Sequence, residues 1–521
     1  MIIYGFCNKE YTKKVFGLSL LTFGRILLVA TTCSVKHFFE TCRAKNFAIE
    51  KLIDIASHLM LPSVGSRKSL LRFASTAAKN TSILLRAQLD LNDVVLRSPE
   101  YKESITRRQL SKNLIEDVDF IVKNRPIQSQ TYTKINALKR ERTELAEKIQ
   151  KKEPNLDEVK ARLSEIKSEI KPLEKYVKEL QEEIYSKAEA LPNLLDPAVP
   201  ASEIKEELVQ YINTSAEEVG KYVGPDTSKD HKIIGERFGL FDFETASRIS
   251  GPSWYYLLGD GALLEQALVQ YALSKARRHG YKMVIPPSIV RSEVVHACGF
   301  KPNDQNNEKQ IYQIEDEPRS LTGTAEIPLG ALHSSTIFPS NTKFPIKYSG
   351  VSRSYRAEAG ASGKDTKGLY RVHEFTKVEL FHFTTLERAR DELESVKNFQ
   401  LEIIEELDLK ARLLNMPTSD LGAPAMKKYD IEAWMPGRGS WGELTSCSNC
   451  GDYQSRRLGI RFNGKGDKVA HVATLNGTCM AVPRVIVAII EQNYDQENDV
   501  IRIPKVLVPF MDGRNVISKI E

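Results

Sequence analysis

The sequence predicts an α+β protein with two folded parts: an N-terminal arm of two antiparallel helices and a C-terminal domain built on an antiparallel sheet. Two observations predict this fold class. Apolar residues between positions 135 and 184 recur with the alternating three- and four-residue spacing of a coiled coil. After residue 231, strand-like segments follow one another with helical segments between them. We therefore expect an extension at 1–89, the helical arm at 90–200 and the sheet domain at 201–521.

Composition and charge limit the class of protein. The chain has 521 residues, 41% of them apolar, which is enough for several domains with their own cores. Its net charge of +6 excludes a strongly basic nucleic-acid coat and an acidic disordered chain, and its seven cysteines exclude a disulfide-rich secreted scaffold. The charge is unevenly distributed, because residues 1–89 contain 13 Lys and Arg against four acidic residues, a net +9 that leaves −3 for the rest.

The N-terminal extension has the character of a targeting segment. No acidic residue occurs between Ile55 and Leu89, and Leu70, Leu71 and Phe73 lie among cations in the segment that begins at Met60. Such a segment can form a cationic amphipathic helix, as mitochondrial presequences do, and it predicts delivery to the mitochondrial matrix. The alternative is a disordered basic tail.

The first 59 residues are harder to interpret. Val15–Val35 is mostly apolar but contains Arg25 near its centre, and an arginine at bilayer depth costs about 2.5–3.5 kcal/mol. We therefore expect no stable membrane association. Our hypothesis is that Met60 is a natural start and that residues 1–59 are dispensable; N-terminal sequencing of the precursor decides this.

The arm is predicted from two apolar seams. The second seam alternates spacings of three and four without a break, and the first has the same pattern with Arg142 at one seam position. Pro154 lies between them and cannot continue the first helix, so the two helices must fold back on each other. Pro172 predicts a kink in the second helix. The seam residues are Ile135, Leu138, Leu145 and Ile149, then Leu156, Val159, Leu163, Ile166, Ile170, Leu173, Val177, Leu180 and Ile184.

The first arm helix is strongly basic. Lys134–Lys152 contains seven bases against three acids, so this side of the arm could follow a phosphate backbone. A dimerisation coiled coil with solvated charges fits the hairpin equally well. Three prolines within Leu191–Pro200 end the arm.

The sheet domain is predicted from helix and strand patterns in series. A Gly-rich loop, Ala359–Gly368, separates two long strands and makes them a hairpin with a long tip. The predicted strands are Val284–Val290, Lys347–Arg356, Leu369–Phe383 and Ala470–Gly477, and the predicted helices are Gly261–Gly280 and Ala481–Gln492.

Several segments of this domain resemble the motifs of class II aminoacyl-tRNA synthetases in the seryl form. Ser354–Gly360 with Gly368–Glu379 resembles motif 2, Leu475–Arg484 resembles motif 3, and Pro287 resembles the motif 1 proline. Two further segments, Thr322–Glu326 and Glu443–Asn449, resemble seryl-specific segments. The resemblance extends over about residues 90–521, including the arm and the closing segment Ile503–Gly513.

The resemblance implies a fold, a reaction and its partners. The fold is a class II catalytic domain plus a tRNA-binding arm. The reaction is ATP-dependent activation of L-serine to seryl-adenylate, with Mg²⁺, followed by transfer of serine to the 3′ end of serine tRNA. The usual class II state is a homodimer. The basic helix places the tRNA contacts at Lys134, Lys139, Arg140 and Lys148.

The resemblance also assigns the site residues. Catalysis falls to Arg356, Glu443 and Arg484, with Glu443 holding Mg²⁺ through the ATP phosphates and Ser446 near it. Serine is held by Thr324, Ala325, Glu326, Glu379 and Thr478. ATP is bound by Arg356, Ala357, Glu358, Val372, Phe375, Glu443, Leu444, Thr445, Ser446 and Arg484.

The chemistry suits these residue types. The nucleophile is a carboxylate that is already ionised at neutral pH, so no general base is needed, and catalysis rests on positioning and on neutralising phosphate charge. The chain departs from the family at three positions. Thr478 stands where the family usually has Ser, and Cys479 and Pro483 stand where it usually has Gly, which puts pocket size and rate in question.

Several features of the sequence have alternative interpretations. Cys447 and Cys450 form a single Cys-x-x-Cys pair without a second pair at zinc spacing, so we expect no zinc. His373 is expected to pack or orient rather than to catalyse. The functional alternatives are a synthetase-like protein that loads an amino acid onto a carrier protein and a non-catalytic tRNA-binding protein.

Overall fold

The structure is a computed structural model that describes residues 86–151, 154–200, 205–301, 310–357, 368–464 and 468–519. The predicted presequence, the apolar segment Val15–Val35, Met60 and Glu358 lie outside these residues. In the described ranges, no helix is long and apolar enough to cross a membrane.

The predicted helical arm is confirmed as part of the fold. It consists of α1 (Leu91–Leu96), α2 (Ser98–Arg107), α3 (Asn113–Gln150) and α4 (Leu156–Ala190). The long helices α3 and α4 pack along a buried seam that includes Ile135, Leu138, Ile166, Ile170 and Val177. Helix α4 continues through Pro172, so the proline does not divide it.

The root of the arm is fixed to the sheet domain by a buried arginine. Arg108 is only 3% exposed, and its guanidinium donates to the carbonyl oxygens of Asn193, Leu421, Gly422 and Ala425 at 2.6–3.2 Å. The Asn193 side chain donates in turn to the carbonyls of Pro424 and Cys450 at 2.9 and 2.8 Å. Because buried donors need partners, this set of bonds joins the two parts without a free linker.

The sheet domain is built on eight strands. The strands are β1 (Glu207–Ile212), β2 (Lys282–Val284), β3 (Ile346–Tyr355), β4 (Glu374–Thr384), β5 (Ala411–Asn415), β6 (Lys427–Met435), β7 (Ser440–Asn449) and β8 (Ala473–Ala481). Their spatial order is β1–β5–β6–β7–β8–β4–β3–β2, and all neighbours are antiparallel except β2 and β3. An antiparallel sheet was predicted, so the parallel edge strand β2 is an addition to that prediction.

Three long helices pack on this sheet and form the main core. They are α5 (Gly259–Arg278), α6 (Ala389–Glu406) and α7 (Val482–Asn493). The two faces of β4 pack into different hydrophobic cores. Val378 and Leu380 lie in the main core, whereas Phe381 and Phe383 lie in a second core. The other helices are Ala216–Val219, His231–Arg237, Phe243–Ser250, Ser292–Ala297, Glu326–Gly330 and Tyr453–Leu458.

The remaining strands are short and lie outside the main sheet. They are Phe241–Asp242, Tyr256–Leu257, Ile289–Arg291, Arg319–Leu321, Ile337–Phe338, Arg461–Asn463, Val469–His471, Tyr494–Asp495, Val500–Arg502 and Val516–Ile517.

Three strand predictions need correction. The strand expected at Ala470–Gly477 is two strands in different sheets, Val469–His471 and Ala473–Ala481. The single strand expected at Val284–Val290 is two strands, because the prolines at 286 and 287 cannot supply the N–H groups of a continuous ladder. The strand expected from Leu369 begins only at Glu374, since residues 368–373 form turns after Gly368, whose φ is +70°.

Candidate active site

The site lies where two central strands separate. Strands β7 and β8 pair only at Cys447–Asn449 and Leu475–Gly477, and beyond these pairs they diverge. The Gln400 side chain of α6 bridges the divergence by donating to the carbonyls of Ser446 and Thr478 at 2.8 and 2.9 Å. The opening is a cavity lined by Arg356, Leu369, Tyr370, Arg371, Val372, Phe375, Lys377, Glu443, Leu444, Ser446, Thr478, Ala481, Pro483 and Arg484.

A register shift in each of these strands turns additional side chains into the cavity. In β7 an extra residue, Leu444, lies between Glu443 and Thr445 opposite two consecutive residues of β6. In β8 the extra residue is Cys479. Side chains three positions apart normally face opposite sides of a strand, but an inserted residue lets both face the same side. Glu443 and Ser446 therefore line the cavity together, as do Thr478 and Ala481.

Arg484 and Glu443 form the polar centre of one cavity wall. The Arg484 guanidinium lies 3.2 Å from the Glu443 carboxylate and also donates to the Glu443 backbone carbonyl at 3.0 Å. Desolvation opposes ionisation of Glu443, but the charges of Arg484, Lys428 and Arg356 outweigh it and lower the pKa of Glu443. These charges therefore favour the carboxylate anion.

Tyr370 supports the same wall. Its ring lies 3.7 Å from the Arg438 guanidinium carbon and 4.7 Å from that of Arg484, measured to the ring centroid. The Tyr370 carbonyl accepts from Arg484 Nε at 3.4 Å. The ring and the carbonyl of Tyr370 together hold Arg484 in a defined position.

Arg356 lies across the cavity from this wall, at the end of β3. Its guanidinium carbon is 5.3 Å from the centroid of the Phe375 ring, and its Nε donates to the Gly323 carbonyl at 3.4 Å. His373 holds the backbone here, because its Nδ1 lies 2.9 Å from the Arg356 carbonyl oxygen. His373 also stacks on Trp254, in keeping with an orienting role.

A buried polar pocket adjoins the cavity. Thr324 donates to Glu379 at 3.1 Å, and Lys377, which also lines the cavity, pairs with the same carboxylate oxygen at 2.5 Å. Thr478 lies opposite Glu379 in the register of β8 and β4. Glu326 accepts from the side-chain amides of Gln454 and Asn476 at 2.7 and 2.9 Å.

Both carboxylates of this pocket are perturbed. Burial, followed by the charge of Glu379, raises the pKa of Glu326 to about 7. Burial also raises the pKa of Glu379, against the opposing charge of Lys377. A cation that enters the pocket stabilises the ionised form of these desolvated carboxylates, so the pocket suits an ammonium group.

Most of the predicted site residues therefore converge. Thr445, Ala357 and Ala325 do not line the cavity. The Thr445 hydroxyl donates to the Thr478 carbonyl, the Ala357 N–H donates to the Gln310 carbonyl, and Ala325 is buried at the start of a short helix. Of the three family departures, Thr478 and Pro483 line the cavity, Pro483 in the first turn of α7, whereas the Cys479 sulfur lies 3.9 Å from the Ala272 carbonyl of α5.

The cysteine pair is placed in the core. Cys447 and Cys450 are free thiols, and burial raises the pKa of both. Within the described residues, no group of three or more His, Cys, Asp and Glu could hold a metal ion.

The four predicted arm cations are distributed around the exposed part of α3. Since successive helix residues rotate by about 100°, Lys134 and Lys148 share one flank, Lys139 lies on the other and Arg140 faces outward. Lys139 pairs with Glu174 at 2.7 Å and Arg140 with Glu144 at 3.1 Å, both at the surface. Lys134 and Lys148 are exposed. The four cations therefore do not share one side of the helix, as the composition had indicated.

Several polar residues of the site were missed in the sequence. Gln400, Gln454 and Asn476 contact predicted residues that are far away in the chain, whereas Lys377 pairs with Glu379 two positions along the same strand. Only Lys377 and Asn476 lie within the quoted motifs, where their charge or amide could have drawn attention.

Known proteins match the chain over most of its length. One sequence profile, described as Seryl-tRNA synthetase N-terminal domain, matches residues 90–195, and another, described as tRNA synthetase class II core domain (G, H, P, S and T), matches 312–493. The mitochondrial serine–tRNA ligase of Saccharomyces cerevisiae is 42% identical over 86% of this chain and 100% of its own length. That of Schizosaccharomyces pombe is 45% identical over 63% of this chain and 68% of its own length.

A solved structure is similar as well. The crystal structure of seryl-tRNA synthetase from Pyrococcus horikoshii complexed with ATP has a TM-score of 0.76 and 36% identity. The similarity covers 83% of this chain and all of that one.

Proposed function

Since this chain belongs to the seryl-tRNA synthetases of class II and is therefore a serine–tRNA ligase, we propose that it charges serine tRNA in the mitochondrial matrix, as a homodimer that uses ATP with Mg²⁺. We also propose the division into an extension at 1–89, a tRNA-binding arm at 90–200 and a catalytic domain at 201–521. One observation carries the site assignment: Arg356, Glu443 and Arg484 line a single cavity that adjoins the pocket of Thr324, Glu326 and Glu379.

The first step joins serine to ATP. A serine carboxylate oxygen attacks the α-phosphorus, the bond from that phosphorus to the oxygen bridging to the β-phosphate breaks, and pyrophosphate leaves. Arg356 offers a planar cationic fork to the α-phosphate, and Arg484 neutralises the departing phosphates. Phe375 offers a ring face and Glu358 an acceptor to adenine. In the second step a hydroxyl at the tRNA 3′ end attacks the serine carbonyl carbon, and AMP leaves.

The donors present fit Mg²⁺. Glu443 is held ionised beside the Ser446 hydroxyl, and both are hard oxygen ligands. This is too few for a protein cage, as is usual for Mg²⁺, which takes most of its ligands from water and substrate phosphates. When bound, the ion would neutralise phosphate charge.

Serine selection rests on the buried pocket. Glu326 and Thr324 suit the serine ammonium, and Glu379 and Thr478 suit its hydroxyl. A site that hydrogen-bonds a hydroxyl rejects analogues without one by about 10⁴-fold or more, because its own buried groups are left unpaired. Alanine and glycine are excluded in this way, and threonine is excluded by its extra methyl group.

The raised pKa of Glu326 predicts a pH dependence of serine binding. With a pKa of about 7, Glu326 is largely protonated at pH 6 and ionised at pH 8, so the KM for serine should fall about tenfold between these values. Glu326→Gln should raise this KM and flatten its pH profile. The control is Glu374→Gln, a carboxylate paired with Arg353 outside the pocket. A profile that remains in the Glu326→Gln enzyme would contradict the assignment.

The homodimer is supported by an exposed sheet edge. Strand β2 ends the sheet, Met283 on it is 49% exposed, and Ile285 just after it is 92% exposed. An unpaired strand edge with exposed apolar side chains favours association with another chain.

We expect Met283→Lys with Ile285→Asp to shift the protein from dimer to monomer in light scattering. The control is Val223→Asp, which changes a 75% exposed apolar residue elsewhere. A double variant that stays dimeric at low micromolar concentration would place the interface elsewhere.

The mitochondrial location is supported by the acid-free basic segment and by the mitochondrial relatives. A fluorescent fusion of residues 60–89 tests it; cytosolic fluorescence would count against the matrix assignment.

Ligase chemistry is tested by serine-dependent ATP–pyrophosphate exchange followed by charging of mitochondrial tRNA. Both should occur. Exchange without charging would support loading of a carrier protein, and absence of exchange would support a binding protein.

A further inference from the structure

A buried histidine–glutamate pair lies behind the cavity wall. His231 Nδ1 is 2.7 Å from Glu491 Oε1, and the two side chains are 4% and 0% exposed. His231 begins the helix His231–Arg237, and Glu491 lies near the end of α7, the helix that begins beside Arg484. Neither residue lines the cavity.

The backbone around the pair fixes the histidine tautomer. The Leu369 N–H donates to His231 Nε2 at 3.2 Å, so Nε2 must be the unprotonated acceptor. The ring proton is therefore on Nδ1 and points to Glu491. The second Glu491 oxygen accepts the Gly437 N–H at 2.7 Å. The pair therefore binds two segments that are distant in the chain: His231 accepts from the Leu369 amide and Glu491 accepts from the Gly437 amide.

Each of these segments contacts the cavity wall that contains Arg484 and Glu443. Leu369 precedes Tyr370, and Gly437 precedes Arg438, whose guanidinium lies against the Tyr370 ring. Tyr370 in turn contacts Arg484 through its ring and its carbonyl. A displacement of either backbone segment would therefore reach the guanidinium of Arg484.

Glycines make room for the pair on both sides. A Cβ at Gly368, whose φ is +70°, would lie 2.1 Å from His231 Nε2. A Cβ at Gly437 would lie 2.9 Å from the Glu491 carboxyl carbon. Larger residues at either position would push the backbone away from its acceptor.

We propose that His231 and Glu491 are positioning residues for the phosphate end of ATP. They act through the Leu369 and Gly437 amides, which align Tyr370 and Arg438 with Arg484. The inference rests on the proposed contact between Arg484 and the ATP tail. It predicts that loss of either residue weakens binding of ATP, which has β- and γ-phosphates, more than binding of AMP, which has neither.

Two substitutions of His231 separate its contacts. An asparagine amide can replace Nδ1 as donor to Glu491 but does not reach Leu369, whereas the carbonyl of a glutamine can replace Nε2 as acceptor for the Leu369 N–H. Equilibrium binding of ATP and of AMP is measured calorimetrically for both. We expect His231→Asn to weaken ATP binding about tenfold and AMP binding hardly at all, and His231→Gln to recover most of the loss.

A second buried pair supplies the control. His382 Nδ1 lies 3.2 Å from Glu392, with side chains 0% and 8% exposed, and neither residue lines the cavity. His382→Asn should lower Tm as His231→Asn does, but it should not weaken ATP binding more than AMP binding.

Two results would overturn the inference: equal losses of ATP and AMP affinity in His231→Asn, or unchanged ATP affinity. Failure of the ligase chemistry itself would appear separately, as absent serine-dependent exchange in the unsubstituted protein.

Discussion

Replacing Arg484 with alanine is expected to lower the rate of serine-dependent pyrophosphate exchange by about 10³-fold, in the range found when one preorganised charge-stabilising donor is removed. Arg484 lies 3.2 Å from Glu443 and is held by Tyr370, so its charge is already aligned before ATP arrives. Its loss also removes the ion pair that orients the Glu443 carboxylate. The measurement is exchange kinetics with varied ATP.

Two further variants calibrate this result. Arg484→Lys keeps the charge but loses the planar fork, and should fall between the unsubstituted protein and the alanine variant. Arg502→Ala removes an exposed arginine that pairs with Asp495, and should leave exchange unchanged. If Arg484→Ala retained more than about a tenth of the exchange rate, the charge-stabilising role would be wrong.

Deleting the outer arm should separate the two halves of the reaction. We expect removal of Ile135–Lys178, with Lys134 joined to Glu179 by a short glycine linker, to reduce tRNA charging at least 100-fold and to spare exchange. The reason is that the arm, which we propose to contact tRNA phosphates, contributes no residue to the cavity. The cut retains the root core, including Ile121 and Ile184, and the Tyr132–Gln181 hydrogen bond. Equal loss of charging and exchange would contradict this division of labour.

Point substitutions test the same contact without shortening the arm. Lys134→Gln with Lys148→Gln should raise the KM for tRNA and reduce its dependence on salt by about one unit of logarithmic slope per lost phosphate contact. The matched control is Lys160→Gln with Lys175→Gln, which changes two exposed lysines of the other helix. If the salt dependence of the KM for tRNA is unchanged in the variant with Lys134→Gln and Lys148→Gln, the tRNA contacts lie elsewhere on the arm.

The arm was predictable where its sequence repeats. Alternating spacings of three and four require a helical pair, and Pro154 fixes the turn. The earlier start of α3 at Asn113 was not predicted, because that part of the helix packs against α1 and α2 rather than along the repeating seam. In the sheet, the hairpin of β3 and β4 was predicted, but strands β1, β5, β6 and β7 were not. The two inserted residues were not predicted either, since Leu444 and Cys479 look like ordinary strand residues.

The candidate site was predictable as far as its motifs are continuous in sequence. Motif resemblance identified Arg356, Glu443 and Arg484, which line one cavity. It could not identify the contact between His231 and Glu491, which are 260 residues apart. No local pattern distinguishes such a histidine from one that fills a core, because its function depends on which backbone amides the fold brings to it.

The buried Arg108 at the arm root has a consequence for grafting experiments. Its acceptors in the sheet domain lie in residues 421–425, immediately before β6. Asn193 also reaches the Cys450 carbonyl just after β7, the strand that carries Glu443. An arm transplanted from another synthetase at residue 200 would leave this arginine or its acceptors mismatched, and a buried guanidinium without acceptors is costly. A chimera should therefore exchange only the hairpin beyond the root and keep Arg108, Asn193 and residues 421–425 from one parent.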